Sequence, residues 1–185
     1  RERVGDLEFE FLAGEFFQNN PFILPEFVSY GVSEAKGPRF LVDAYCGVGM
    51  FALSAAKEFE RVAGIEVSAN AVECARKNAG INNIANCSFF AGKAENIFES
   101  VSSDYPGAET SVIIDPPRSG CDMSFIGQLA RFAPAKIVYV SCGPDTQARD
   151  AAELQKLGYR LEKLQPFDLF PQTRHIECVA TFLRQ

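Results

Sequence analysis

The sequence predicts an α/β fold: a mostly parallel, seven-stranded sheet with helices on both faces and an antiparallel hairpin at its C-terminal end. Three observations point to it. Short apolar runs alternate with segments of helical spacing, the pattern of parallel strands and their crossover helices. Capping residues and glycines bound the helical segments. The last two apolar runs have no helix between them, so they should pair with each other in opposite directions.

In chain order, "LEFEFLAG" (7–14) alternates apolar and acidic residues and suits a half-exposed strand. "PFILPEFVSYGV" (21–32) reads as a helix opened by Pro21, with Pro25 complicating its first turn. "RFLVDAY" (39–45) is an apolar run before a Gly-rich turn, hence the first buried strand. "MFALSAAKEF" (50–59) has helical spacing, and "RVAGIEV" (61–67) is the second buried strand. "SANAVECARKNAGI" (68–81) is a helix with Ser68 as N-cap and Gly80 near its end. "NCSFFAG" (86–92) is the third strand, and "SVIIDPP" (111–117) is the fourth, stopped by two prolines. Between them, "ESVSSDYPGAET" (99–110) reads as a surface loop. A helix around "MSFIGQLARF" (123–132) leads to the fifth strand, "KIVYVSC" (136–142). "DTQARDAAELQKLG" (145–158) is a helix ending at Gly158. "YRLEKLQPFDLF" (159–170) and "HIECVATFLR" (175–184) are the closing strands.

A chain of 185 residues predicts one domain over 1–185, large enough to bury a core without disulfides or a metal. No apolar run approaches membrane-spanning length and no signal peptide is visible, so no membrane partner is expected. The chain opens on Arg1, which reads as a segment of a longer protein. The six cysteines form no CxxC pair, which argues against zinc or an iron–sulfur cluster, so no metal is expected. Scattered cysteines suggest reduced thiols and an intracellular site; cytoplasm, nucleus and mitochondrion are all compatible. A net charge of −6 is unlike a free-standing nucleic-acid binder, whose footprint is a basic patch.

In open α/β sheets the ligand lies beyond the carboxyl ends of the strands, so the residues where strands stop are informative. The first strand ends in "DAYCGVGMF", where Gly47 and Gly49 form a GxG turn before a helix. Such a turn lets a ligand approach the backbone, although tight strand–helix turns also favour glycine. The second strand ends in "GIEVS". Glu66 lies about twenty residues past Gly47, where a ribose-binding acid sits in nucleotide-binding βαβ units. Ala52 stands where a GxGxxG fingerprint has its third glycine, which favours a mononucleoside cofactor over a dinucleotide.

The fourth strand ends in "IIDPPRSG". Asp115 emerges there into a Pro-Pro corner, costly unless it meets a partner such as an ammonium group; capping the loop is the structural alternative. The fifth strand ends in "VSCGP". Cys142 lies at the mouth before a helix N-terminus, where dipole and backbone N–H groups favour thiolate. Cys121 in "RSGCD" is its rival, and Cys46, Cys74, Cys87 and Cys178 read as structural. In "QTRHIEC", the single histidine His175 and Glu177 are two apart and can face one side of a strand. Glu177, set among apolar residues, would have a raised pKa and could act as a base near neutral pH.

The segments "FFQNN", "DAYCGVGMF", "IIDPPRSG", "VSCGPDTQARD" and "FPQTRHIECVATF" occur in this order in the RNA 5-methyluridine methyltransferases of the TrmA type, which this chain resembles from about residue 10 to its end. The pattern is most similar to the eukaryotic tRNA enzymes, the fungal ones among them. The resemblance implies a class I, Rossmann-like methyltransferase fold, S-adenosylmethionine as cofactor, and methylation of C5 of a uridine in RNA, with the T-loop uridine 54 of tRNA as target. It implies Cys142 as nucleophile and Glu177 as base. Gln18, Tyr45, Glu66 and Asp115 would contact the cofactor. Two departures stand out: Met50 and Gly143 occupy positions where the family usually has Asn. The family's N-terminal RNA-binding part is missing from this segment, which would explain the acidic charge. A monomer is expected.

The chemistry fits those residue types. C5 of uracil is a poor nucleophile until a thiolate adds at C6. A base must then remove the C5 proton, and the target base must leave its stack to be reached. Competing readings are a cofactor-binding RNA-folding module without catalysis, and a methyltransferase for another RNA or base. "DPPR" resembles the [DNS]PP[YF] motif of amino-group methyltransferases, but Arg118 stands where their stacking aromatic would be. Cytosine-C5 enzymes place the nucleophile after Pro, whereas Cys142 follows Ser.

Overall fold

The computed structural model describes residues 1–12, 18, 20–92, 97–99, 101 and 103–185. A short hairpin of β1 (Glu2–Val4) and β2 (Leu7–Phe9) opens the chain, followed by α1 (Leu24–Ala35). Then β3 (Phe40–Ala44), α2 (Met50–Ala55), β4 (Arg61–Glu66), α3 (Ala69–Ile81) and β5 (Cys87–Ala91) alternate. After a loop come β6 (Thr110–Ile114), α4 (Met123–Phe132), β7 (Lys136–Ser141) and α5 (Pro144–Lys156), and the chain closes with β8 (Tyr159–Phe167) and β9 (Glu177–Arg184).

Seven strands form one sheet in the order β5-β4-β3-β6-β7-β9-β8. β3 to β7 are mutually parallel; β9 runs antiparallel to both β7 and β8. The expected hairpin is present, but its second strand is threaded between β7 and the first. Fully buried Val179 and Phe182 explain this: β9 is the apolar member and takes the interior slot, while residues 160–166 of β8 are exposed and suit an edge.

Strand residues alternate between two apolar layers. Leu41, Ile113, Val138 and Val140 meet α1, α2 and α3, with Phe27, Phe51 and Val72 among the buried contacts. Val42, Ile65, Ile114 and Tyr139 meet α4 and α5, with Phe125, Leu129 and Leu154. Chain order and sheet order part company at β3: the chain moves outward to β4 and β5, then returns to β6 on the other side. The strand ends flanking that reversal leave a crevice, the standard ligand position in such sheets.

Several local expectations are corrected. The strand in "LEFEFLAG" shrinks to Leu7–Phe9 and pairs with β1 outside the main sheet, while residues 13 and 14 lie outside the described residues. Pro25, not Pro21, sits in the first turn of α1, where a missing N–H costs nothing. The 99–110 segment is no simple surface loop: Val101 and Tyr105 are buried in the core, while residues 100 and 102 lie outside the described residues. Among the described residues no helix is long and apolar enough to cross a membrane.

Candidate active site

A cavity of about 520 Å³ opens at the carboxyl ends of the strands, within the range of small-molecule sites. Gln18, Tyr45, Gly47, Glu66, Asp115, Cys142 and Glu177 all line it, so every site residue expected from the sequence meets there. Val48, Val67, Ala71, Pro116, Pro117 and Arg118 complete the lining.

The β3–α2 turn forms one wall. Tyr45 holds a left-handed backbone at φ 65°, unusual for a side chain of its size, and Gly47 and Gly49 follow at φ 53° and 89°. Glu66, at the end of β4, braces this turn. One carboxylate oxygen accepts from Gly47 N–H at 3.1 Å, the other from Ser68 N–H at 2.9 Å. Ser68 caps α3 as expected, accepting from Ala71 N–H at 3.3 Å. Met50 packs against the α1–α3 core layer and does not line the cavity.

The opposite wall is acidic. Glu177 starts β9 and is only 3% exposed; burial pushes its carboxyl up to about 7. Asp115 ends the β6 run, and burial, then the Glu177 charge, push it up to about 8. Cys142 lies between β7 and α5, half-buried. The Ser-Cys order now has a reason: the Ser141 hydroxyl accepts from Gly143 N–H at 3.0 Å and ties the turn around the thiol. The expectation that this position favours thiolate is corrected. Burial, then the Glu177 and Asp115 charges, raise the Cys142 thiol, outweighing a backbone hydrogen bond and the Arg118 guanidinium.

The rival thiol is elsewhere. Cys121 is buried in the α4–α5 core layer, pushed up to about 12 chiefly by burial, and does not line the cavity. His175 precedes β9 and sets its ring edge-on to Phe170, so it shares no strand face with Glu177. Residues 13–17 and 19, including most of "FFQNN", lie outside the described residues; Gln18 is buried, with Oε1 unpartnered.

One acid escaped sequence reasoning. Asp43, in the middle of β3, is fully buried, and its Oδ2 accepts from Ala52 N–H at 2.9 Å while Oδ1 has no partner. Burial holds its carboxyl well above the usual range. An acid inside the apolar run "RFLVDAY" was the available signal. Val67, 70% exposed beside Glu66, was signalled only by being an apolar residue at a strand end.

This strand order, with an antiparallel strand inserted next to the edge and a cavity at the reversal, defines a class I methyltransferase fold. The chain superposes on the crystal structure of the Pyrococcus abyssi tRNA (uracil-54, C5)-methyltransferase in complex with S-adenosyl-L-homocysteine with a TM-score of 0.86 and 34% identity, covering 99% of this chain and 44% of that one. It belongs to the tRNA (Uracil-5-)-methyltransferase family, whose profile matches residues 3–185. Among curated relatives, the tRNA (uracil(54)-C(5))-methyltransferase of Schizosaccharomyces pombe is 46% identical over all of this chain and 37% of its own length. The Saccharomyces cerevisiae enzyme of the same name is 45% identical over 99% of this chain and 30% of its own. The chain thus spans about a third of the length of these fungal relatives.

Proposed function

We propose that residues 1–185 are the catalytic domain of an enzyme that transfers a methyl group from S-adenosylmethionine to C5 of uridine 54 in the T-loop of tRNA. One observation carries the reading: a thiol, a buried carboxyl near neutral pKa and a second acid line a single cavity at the sheet's reversal. The names of the fungal and archaeal relatives support the choice of base and RNA.

The cavity suits such a cofactor. Its lining pairs apolar Val48, Val67, Ala71 and Pro116 with three acids, Glu66, Asp115 and Glu177, which calls for a ligand with an apolar portion and a cationic end. The unpartnered Gln18 Oε1 is a further acceptor waiting for a donor. Glu66 would hold ribose hydroxyls, Tyr45 and the Gly47 backbone would border the nucleoside, and Asp115 with Gln18 would take the cationic end. When bound, the cofactor supplies an electrophilic methyl group.

The chain's own residues do the rest. The Cys142 thiol loses its proton to solvent, and the thiolate forms an S–C bond to C6 of the extruded uracil. The C5–C6 electron pair moves onto C5 and the adjoining carbonyl, and C5 would bond to the cofactor's methyl carbon as the methyl–sulfur bond breaks and its electron pair stays on sulfur. Glu177 then removes the C5 proton. The electrons of that C–H bond re-form the C5–C6 double bond and expel the Cys142 thiolate. The raised Glu177 carboxyl suits a base that works near neutral pH. The RNA contacts that an acidic segment does not supply would come from the rest of the protein, which acts as a monomer in an intracellular compartment.

Mass spectrometry of tRNA tests the reading. Cells lacking the full-length protein should lose 5-methyluridine at position 54, regain it with the wild-type gene, and fail to regain it with Cys142→Ala. Unchanged methylation in the deletion strain would contradict it.

A further inference from the structure

Helix α5 starts at the Cys142 turn, yet most of its polar side chains on one face engage a different segment, the 115–122 loop. Thr146 Oγ1 lies 3.1 Å from Arg118 O and 2.9 Å from Gly143 O, bridging the loop and the turn. Arg149 Nη2 donates to Ser119 O and Cys121 O, both at 3.1 Å. Asp150 is 1% exposed, and its Oδ2 accepts from Cys121 N–H at 2.8 Å and from the Tyr139 hydroxyl at 2.7 Å, while Oδ1 accepts from Arg149 Nε at 2.9 Å. The positions 146, 149 and 150 share one helix face by their spacing.

Two glycines mark how closely the segments meet. A Cβ on Gly120 (φ 78°) would stand 2.6 Å from Asp150 Oδ2 and 2.7 Å from Arg149 Nη2. A Cβ on Gly143 would stand 2.7 Å from Thr146 Oγ1 and 3.0 Å from Arg118 O. A side chain at position 143 would therefore hold the loop off the turn. None of Thr146, Arg149 and Asp150 lines the cavity, whereas Asp115, Arg118 and Cys142 do.

We infer that α5 is a clamp that registers the Asp115–Arg118 corner against the Cys142 turn, with Asp150 as its positioning residue and the Arg118 guanidinium as the group it keeps beside the thiol. The charged groups acting on Cys142 are Glu177 from β9, Asp115 from the end of β6 and Arg118 from the loop; the first two oppose ionisation of the thiol and Arg118 favours it. The clamp decides whether the favourable charge stays in range. Its catalytic meaning rests on Cys142 being the nucleophile, but its test requires no turnover.

The test is the pH midpoint of Cys142 alkylation by iodoacetamide in the ligand-free protein, read by mass spectrometry of the Cys142 peptide. Arg118→Ala should raise the midpoint, leaving less thiolate at a fixed pH below it. Asp150→Asn should raise it comparably, Asp150→Asn with Arg118→Ala should go no further than Arg118→Ala alone, and Arg118→Lys should restore most of the shift. Thr146→Val, which frees the Arg118 and Gly143 carbonyls, carries the same expectation and covers the case in which Asp150→Asn does not fold. A wild-type midpoint in a folded Asp150→Asn or Thr146→Val protein, whatever its thermal stability, would reduce α5 to scaffold. Additive shifts in the double variant would also overturn the inference.

Discussion

At the β3–β4 end of the cavity, both Glu66 oxygens are occupied by backbone N–H groups of Gly47 and Ser68. At the β6–β9 end, Asp115 and Glu177 are pushed up to about 8 and about 7, with burial the first cause for each. The first wall is settled by hydrogen bonds before any ligand arrives and holds a shape. The second stores unfavourable charge that a cation or a proton can relieve. On the proposed function the two walls differ in role: hydrogen-bonded Glu66 positions the ligand, while the raised acids meet a cation, at Asp115, or a proton, at Glu177.

The largest effect should come from the reactive wall. Cys142→Ala should lower methyl transfer by more than about 10⁴-fold, as removal of a covalent nucleophile does, with the fold intact because little apolar surface is lost. Retention of substantial activity, measured with labelled cofactor and tRNA, would shift attention to Cys121. Glu177→Gln should lower turnover by about 10²–10⁴-fold, the range of a general base. In the wild type, resolution of the adduct should rise with pH through about 7, since Glu177 must be ionised to accept the proton. A flat profile across that range would place the base elsewhere.

The settled wall should answer differently. Glu66→Ala should weaken cofactor binding by about 1.5–3 kcal/mol, or about 10–150-fold by calorimetry, without preventing adduct formation at saturating cofactor. Equal damage to binding and to the adduct step would erase the distinction between the walls. The smallest effect concerns stability. Both carboxyls sit above their ordinary values of 3.8 and 4.5, so the folded ligand-free protein binds protons that the unfolded chain does not. The stability is present in full below those ordinary values and is lost as pH rises through about 7 to 8. Asp115→Asn should flatten that decline in the thermal midpoint, by about 1–3 °C after allowing for solvent at the cavity mouth. A midpoint independent of Asp115 across the window would argue that its charge is already relieved.

Much of this arrangement was legible beforehand because strand ends are legible. Gly47, Glu66, Asp115 and Cys142 each follow an apolar run, and an α/β sheet brings such positions to one edge. Glu177 was readable as a carboxylate among apolar residues. Other features were not readable. Which strand an antiparallel newcomer lies beside depends on packing area, so the insertion of β9 next to β7 does not follow from the order of segments. The Cys142 thiol is raised first by burial and then by two carboxylates more than 25 residues away in the chain, neither of which the local segment before the helix reveals. Asp43 was hidden because one acid in an apolar strand looks like an ordinary interruption, and its single bond to Ala52 N–H appears only once α2 has folded back.

The division of labour between Cys142 and Glu177 is tested most directly by trapping. Full-length Glu177→Gln protein, mixed with tRNA and methyl-labelled cofactor and run on a denaturing gel, should accumulate a label-bearing protein–RNA adduct that the wild type resolves and that Cys142→Ala never forms. Normal turnover without accumulation in Glu177→Gln, or a labelled adduct in Cys142→Ala, would contradict the account.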